Sequence, residues 1–264
     1  MAKNMIKRIR MDYGHTIYAG YLGYITQAIV NNFVPLLFLT FQSQYGVTLE
    51  LLGLLVTINF GVQLFVDFIA AKFIDKIGYR VLVVAAHVFA VIGLVSLSFL
   101  PDLLPDPYIG ICFSVILYAI GGGLTEGLIS PIVEACPTDG KSAAMSLLHS
   151  FYCWGHVGVV LLSTAFFKIF GIGNWKYLAL IWAVVPLLNT YLFTKVPVAS
   201  LIQEGEQGLT IRQLAKQKIF WVFLLMMLCA GASEQAVSQW ASAFAERGLG
   251  ISKAAGDLAG PMAF

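Results

Sequence analysis

Long apolar runs alternate with short charged turns along this chain. The turn Asp75-Lys76-Ile77-Gly78-Tyr79-Arg80 shows the pattern: apolar sequence precedes it over 49–74, and a second run follows over 81–100. A helix crossing a bilayer needs about 20 apolar residues. By that measure seven spans are predicted, at 15–41, 51–71, 81–100, 108–133, 144–167, 176–193 and 220–245. No Asp, Glu, Lys or Arg occurs between Asp12 and Glu50. The N-terminus has no small-residue cleavage site after a short apolar core, so it reads as a basic tail and an uncleaved first span. The predicted fold class is an all-α polytopic membrane protein.

Composition agrees. The chain is 59% apolar and 11% charged, with mean hydropathy +0.82. A soluble domain carries about a quarter charged residues, so this chain could not cover its surface against water and lipid is its natural solvent. A net charge of +2 argues against a nucleic-acid partner. The four cysteines, Cys112, Cys136, Cys153 and Cys229, lie in or beside apolar runs and form no CxxC pair. Twelve of the sixteen basic residues fall on alternate loops, from Lys3, Lys7, Arg8 and Arg10 at the start to Lys195, Arg212, Lys216 and Lys218. The positive-inside rule then puts the N-terminus in the cytoplasm, with span seven running outward through the cell membrane.

The only long hydrophilic stretch lies between spans six and seven, with Glu204, Gly205, Glu206 and Gly208. It reads as a linker. Its second half suits a short amphipathic helix on the inner surface, capped by Thr210 with Gln213 three residues on. Three parts are therefore expected: a six-helix bundle over 1–194, a cytoplasmic linker over 195–218, and over 219–264 the start of a second bundle. Residues 251–264 resemble the start of an eighth span, so the chain is expected to be a fragment of a longer one.

Ionisable groups in mid-span cost about 2.5–3.5 kcal/mol on insertion scales, so each needs a reason. Glu126 follows Gly121-Gly122-Gly123 in span four, and Glu234 lies in the middle of span seven beside Gly231 and Ser233. Taking a carboxyl out of water disfavours its charged form, so both are candidate proton carriers. Otherwise each is a hydrogen-bonded glutamate that ties helices together. Amides form stripes at helical spacing. Gln27 and Asn31 lie in span one ahead of Pro35, and Asn59, Gln63 and Asp67 share a face of span two. In span seven Gln235, Gln239 and Ser242 lie beside the face of Glu234 and Ser238. Such stripes line water-filled cavities or cross-link helices. Amides with an aromatic, here Trp240, suit a neutral polyhydroxylated solute. His149 in span five is a candidate donor. His149 and Cys153 are four apart on one face, with His156 seven from His149, and no third metal ligand occurs at close spacing. Gly121–Gly127 lacks the Lys-Ser/Thr ending of a phosphate loop. No nucleophile motif occurs, so neither an enzyme nor a cofactor is expected.

The loop from Ala71 to Arg80 resembles the signature loop between helices two and three of the major facilitator superfamily. Asp75, Lys76, Gly78 and Arg80 match it, while Ala71 stands for its first glycine and Tyr79 for one basic position. The resemblance implies a gating loop that holds two bundles together on the inner side when the cavity opens outward. Within the superfamily, span four is similar to the fucose permease group: Glu126 and Pro131 match its Glu and Pro, and Ser130 replaces its Asn. That implies a proton-coupling role for Glu126. The group's second acid lies four residues before the proline of span one, where this chain has Asn31. Glu126 then acts alone, Glu234 substitutes, or transport runs without protons. His149 falls where the group has a polar, substrate-facing residue.

The expected function is secondary active transport of a small neutral polar solute, a sugar, with proton coupling. Its partners would be the solute, a proton and the bilayer, with the full-length chain a monomer. The alternatives are export of a drug-like or metabolite solute on the same fold, and a non-transporting membrane sensor. The expected solute site joins Gln27, Asn31, Asn59, His149, Gln235, Gln239 and Trp240.

Overall fold

The structure is a computed structural model that describes residues 11–199 and 211–259, apart from the side chains of Asp75, Ile211 and Ala259. Among the described residues every regular element is helical. The elements are α1 (Tyr13–Asn32), a 3-10 segment (Val34–Leu37), α2 (Phe38–Tyr45), α3 (Leu49–Ile77), α4 (Tyr79–Leu97), α5 (Leu100–Leu103) and α6 (Pro107–Glu134). There follow α7 (Lys141–Phe170), α8 (Trp175–Lys195), α9 (Ile211–Leu214), α10 (Lys218–Leu249) and α11 (Lys253–Ala259). Seven of the helical stretches are long and apolar enough to cross a membrane, α1 and α2 together forming the first.

Local chemistry sets the ends. Asp12 caps α1, accepting from the His15 amide, and the His15 ring reaches back to the Asp12 amide in a capping box. Thr48 caps α3. Asp106 caps α6, with Pro107 at the first helical position. Between α3 and α4, Gly78 has φ +90°. Only glycine reaches that conformation without strain, so two long helices turn there without a longer loop. The first span is not one continuous helix. Pro35 cannot donate an amide hydrogen, and the backbone tightens to 3-10 over Val34–Leu37.

The helices of the first six spans pack α1 on α6, α7 and α8, α3 on α6, and α4 on α6 and α8. Glycines in α6 set how closely. A methyl on Gly121 would lie 2.5 Å from the Ala86 carbonyl oxygen in α4, and one on Gly123 would lie 2.5 Å from the Gln63 carbonyl oxygen in α3. Two residues in one turn thus bring two neighbouring backbones against α6, the role small residues play between membrane helices. Polar ties cross the same layers. His87 is fully buried; its Nδ1 bonds the Val83 carbonyl at 2.7 Å and its Nε2 meets Asn189 Nδ2 at 2.8 Å. Asn189 also donates to the Ala19 carbonyl at 3.0 Å, joining α1, α4 and α8.

α10 stands apart. Its first three turns, from Ile219 to Leu228, expose nearly every large apolar side chain, whereas Gln239, Ser242, Ala243 and Ala245 in its last turns are buried. It meets the first spans at the 3-10 segment and packs on α11, which in turn rests on α7. The linker residues Glu204, Gly205, Glu206, Gly208 and Thr210 lie outside the described residues, as do 260–264 of the expected eighth span. What is described of the linker helix is the single turn α9.

Replacing Gly123 by Ala should lower stability by about 1–3 kcal/mol through overpacking against α3. Gly158→Ala, where no atom lies within 4 Å of the added methyl, should leave it unchanged or slightly raised. Thermal unfolding in detergent compares the two.

Candidate functional site

A cavity of about 570 Å³ lies among α1, α3, α6, α7 and α10. Each wall brings its own chemistry: Tyr24, Gln27 and Asn31 from α1; Gln63 and Asp67 from α3; Glu126 from α6; His149, Tyr152 and Cys153 from α7; Glu234 and Gln235 from α10. Of the sequence-predicted residues, the fold brings Gln27, Asn31, Glu126, His149, Glu234 and Gln235 to this space. Glu126, His149 and Glu234 are exposed to the cavity although each lies well inside a spanning helix. Both glutamates border the cavity wall.

The amides are ordered by one another. Gln27 Nε2 donates to Gln63 Oε1 at 3.0 Å, and Gln63 Nε2 donates to Asn31 Oδ1 at 2.9 Å. The relay is buried and runs one way, so it leaves an acceptor at its head: Gln27 Oε1 has no partner, and the residue is 1% exposed. The Tyr24 hydroxyl meets Ser130 Oγ at 2.7 Å, and its ring stands edge-on to His149 with centroids 5.5 Å apart. The Tyr152 side chain faces Asn31, Asn32 and Gln235.

Asn59, Gln239 and Trp240 do not line this cavity. They lie nearer the end of the molecule that carries α2, where the chain is closed. Because Pro35 has no amide hydrogen, the Asn31 carbonyl loses its helical donor. Gln239 Nε2 takes that place at 3.0 Å. Asn59 and Gln239 border a separate void of about 10 Å³ beside Asn31 and Tyr118, and Asn59 Oδ1 has no partner there. Trp240 packs on Phe38 with ring centroids 5.3 Å apart. The two rings meet at a tilt of 53°.

A second polar knot closes the same end. Asp257 is fully buried in α11. It accepts from Ser242 in α10, from Thr164 in α7 at 3.4 Å, and from Lys253 at 3.3 Å. Lys253 Nζ also donates to the Leu36 carbonyl in the 3-10 segment at 2.6 Å and lies over the Phe167 ring. Further out, Arg247 donates to Gln42 Oε1 at 3.1 Å. The sequence reading passes over Lys253 and Asp257; their signal is an acid and a base one turn apart in an apolar segment.

The loop at the opposite end contacts the first six spans. Arg80 donates to the Phe193 carbonyl at 2.9 Å and the Val196 carbonyl at 2.8 Å. It thereby covers the C-terminus of α8, where free carbonyls and the helix dipole favour a cation. Lys76 is exposed, Gly78 forms the turn, and the Asp75 side chain lies outside the described residues.

The family model of the Major Facilitator Superfamily matches residues 20–264. No curated protein matches the chain significantly. Among solved structures, a D-xylose-proton symporter aligns with TM-score 0.67 at 18% identity over 95% of this chain and 64% of its own. The inward-open xylose transporter XylE from E. coli aligns with TM-score 0.59 at 18% identity, over 83% and 55%. A POT family transporter in complex with a thioalcohol-conjugated peptide aligns with TM-score 0.55 at 18% identity, over 83% and 45%. At such identity these likenesses concern the fold. The chain spans just under two thirds of the first of these proteins and about half of the others.

Asp257→Asn keeps the volume of the knot and leaves Lys253 without its counter-charge. Removing one partner of a buried pair costs about 3 kcal/mol, so the melting temperature in detergent should fall. Asp139→Asn, at an exposed carboxyl, should leave it unchanged.

Proposed function

The chain belongs to the major facilitator superfamily and is a multi-pass membrane protein, and from that premise we propose that it carries a small neutral polar solute, a sugar, across the cell membrane by proton-coupled alternating access. One observation carries the reading. A cavity of about 570 Å³ brings an amide relay and carboxyls from three separate spans onto one space. That volume falls in the range of small-molecule sites.

The chemistry of the walls suits a solute rich in hydroxyls. Gln27 Oε1 is a buried acceptor that needs a donor, and leaving such a group unpaired costs about 1–3 kcal/mol. A solute hydroxyl supplies that donor. Tyr24, Phe60 and Tyr152 add ring surface. The D-xylose-proton symporter and the xylose transporter among the fold neighbours are consistent with this reading. Glu126 serves as the proton carrier, and its protonation biases the two access states only through its different free energy in each. Glu234 faces the same space from span seven.

With the N-terminus in the cytoplasm, the closed end at Leu36, Gln239 and Asp257 is the outer one. The described conformation is then inward-facing. Transport requires α10 and α11 to leave the first six spans at the outer end, as bundles rock about a central site. The first six spans act as one bundle, and span seven begins the second.

Glu126→Gln should abolish pH-driven accumulation of a neutral sugar in proteoliposomes while sparing sugar exchange. Accumulation surviving at the wild-type level would remove Glu126 from coupling.

A further inference from the structure

The polar stripe on α3 continues past the cavity. Gln63 and Asp67 line the large space. Asn59 lies one turn nearer α2, about 5.4 Å along the axis, on the separate void of about 10 Å³. Asn59 is 6% exposed, and its Oδ1 has no partner. Inside a membrane span such an acceptor cannot turn to bulk water, and leaving it unpaired is unfavourable. Asn31 separates the two spaces, since it borders both. Its side chain accepts from Gln63 at 2.9 Å and its carbonyl from Gln239 at 3.0 Å.

Two properties of the void decide what it can hold. The first is size. One water needs roughly 10–15 Å³ of such space, so a single water fits and an organic solute does not. The second is polarity. Apolar voids stay dry, and a buried water needs two to four polar partners. Here Asn59 Oδ1 lacks a donor, and Asn31 and Gln239 border the same space. The Asn31 carbonyl has a second lone pair beside the one that takes Gln239, and Gln239 has its own Oε1. Among the described residues no carboxylate borders the void, so a cation there would bring a buried charge with no counter-charge.

We infer that this void is a binding site for one water molecule, which donates a hydrogen to Asn59 Oδ1 and is held on its other side by Asn31 and Gln239. The water joins α3 to α1 and α10 at the closed end. One turn further in, Gln63 joins α3 to α1 directly. Buried Val30, Val34, Phe38 and Leu55 complete much of the wall, so the water exchanges slowly with bulk. The site does not depend on which solute is carried. On the alternating-access reading proposed above it has a use. When α10 moves away, Gln239 goes with it and bulk water reaches Asn59. The acceptor is then paired in both arrangements, and opening the outer end does not orphan it.

The test is X-ray radiolytic hydroxyl labelling of the full-length protein in lipid nanodiscs, read by mass spectrometry. X-rays split water into hydroxyl radicals, which label the side chains next to the water that made them. Tyr118 borders the void and is 2% exposed. It should be labelled well above Phe41, which is fully buried elsewhere. After brief mixing into heavy-oxygen water, side chains in contact with bulk should take up the heavy isotope while Tyr118 keeps the light one. Asn59→Leu fills the space with an apolar group of similar volume and should bring the Tyr118 label down to that of Phe41. The wild-type measurement decides the water by itself if that variant fails to fold. A wild-type Tyr118 label no higher than that of Phe41 overturns the site. A label that takes up heavy oxygen as fast as the surface overturns the bound character of the water. A label unchanged in Asn59→Leu overturns the part given to Asn59.

Discussion

The bond from Gln239 to the Asn31 carbonyl organises the molecule around one consequence of lipid as solvent. In hydrocarbon a backbone carbonyl cannot turn to water, so each must find a partner within the protein. Pro35 removes the partner of Asn31, and span seven supplies another 3.0 Å away. The cost of breaking span one thereby becomes a tie between the first span and the seventh. The tie brings Trp240 onto Phe38 and sets α11 against α7 and the 3-10 segment. On the other side of that tie the same helices diverge, and the space between them is the cavity.

Close approach makes the cavity's chemistry possible. Gly121, Gly123 and Gly127 lie on α6, facing α4, α3 and the Asp67 carboxyl in turn. Larger residues would hold the helices apart and displace the Asp67 carboxyl from α6. The glycines thus act twice, as packing surface and as the reason the Asp67 carboxyl reaches the backbone of α6. The amide relay has the same character. Each of Gln27, Gln63 and Asn31 is satisfied chiefly by the others, so the wall is ordered before any solute arrives and offers one unpaired acceptor. Order established in advance lowers the entropy a ligand must give up on binding.

The two ends of the described structure are held by different contacts. At the end near α2, closure crosses between α10 or α11 and the earlier spans, through a carbonyl, an aromatic pair and a buried acid–base knot. At the other end Arg80 holds the C-terminus of α8, a contact within the first six spans. Contacts that cross between groups of helices can be exchanged as the groups move, whereas contacts within one group hold its shape.

The number of spans, the all-helical class and the residues most in need of explanation were legible in the sequence, because lipid imposes them one residue at a time. Twenty apolar residues make a span, and a carboxyl or a stripe of amides inside one stands out whatever its neighbours. Glu126, Glu234, Gln27, Asn31, His149 and Gln235 were found on that ground. Asp67 carried the same signal, yet its carboxyl rests against Gly127, sixty positions further along the chain. Which amides face the cavity and which seal its end could not be read from spacing. Gln235 and Gln239 are one turn apart on one face, but only the first lines the cavity, because α10 leans onto the break at Pro35. The partners of Arg80, the fate of Trp240 and the knot at Asp257 likewise follow from where helices cross. Local solvent chemistry selects the residues; the tilt and separation of the helices assign them their partners, and those are set by packing between segments far apart in sequence.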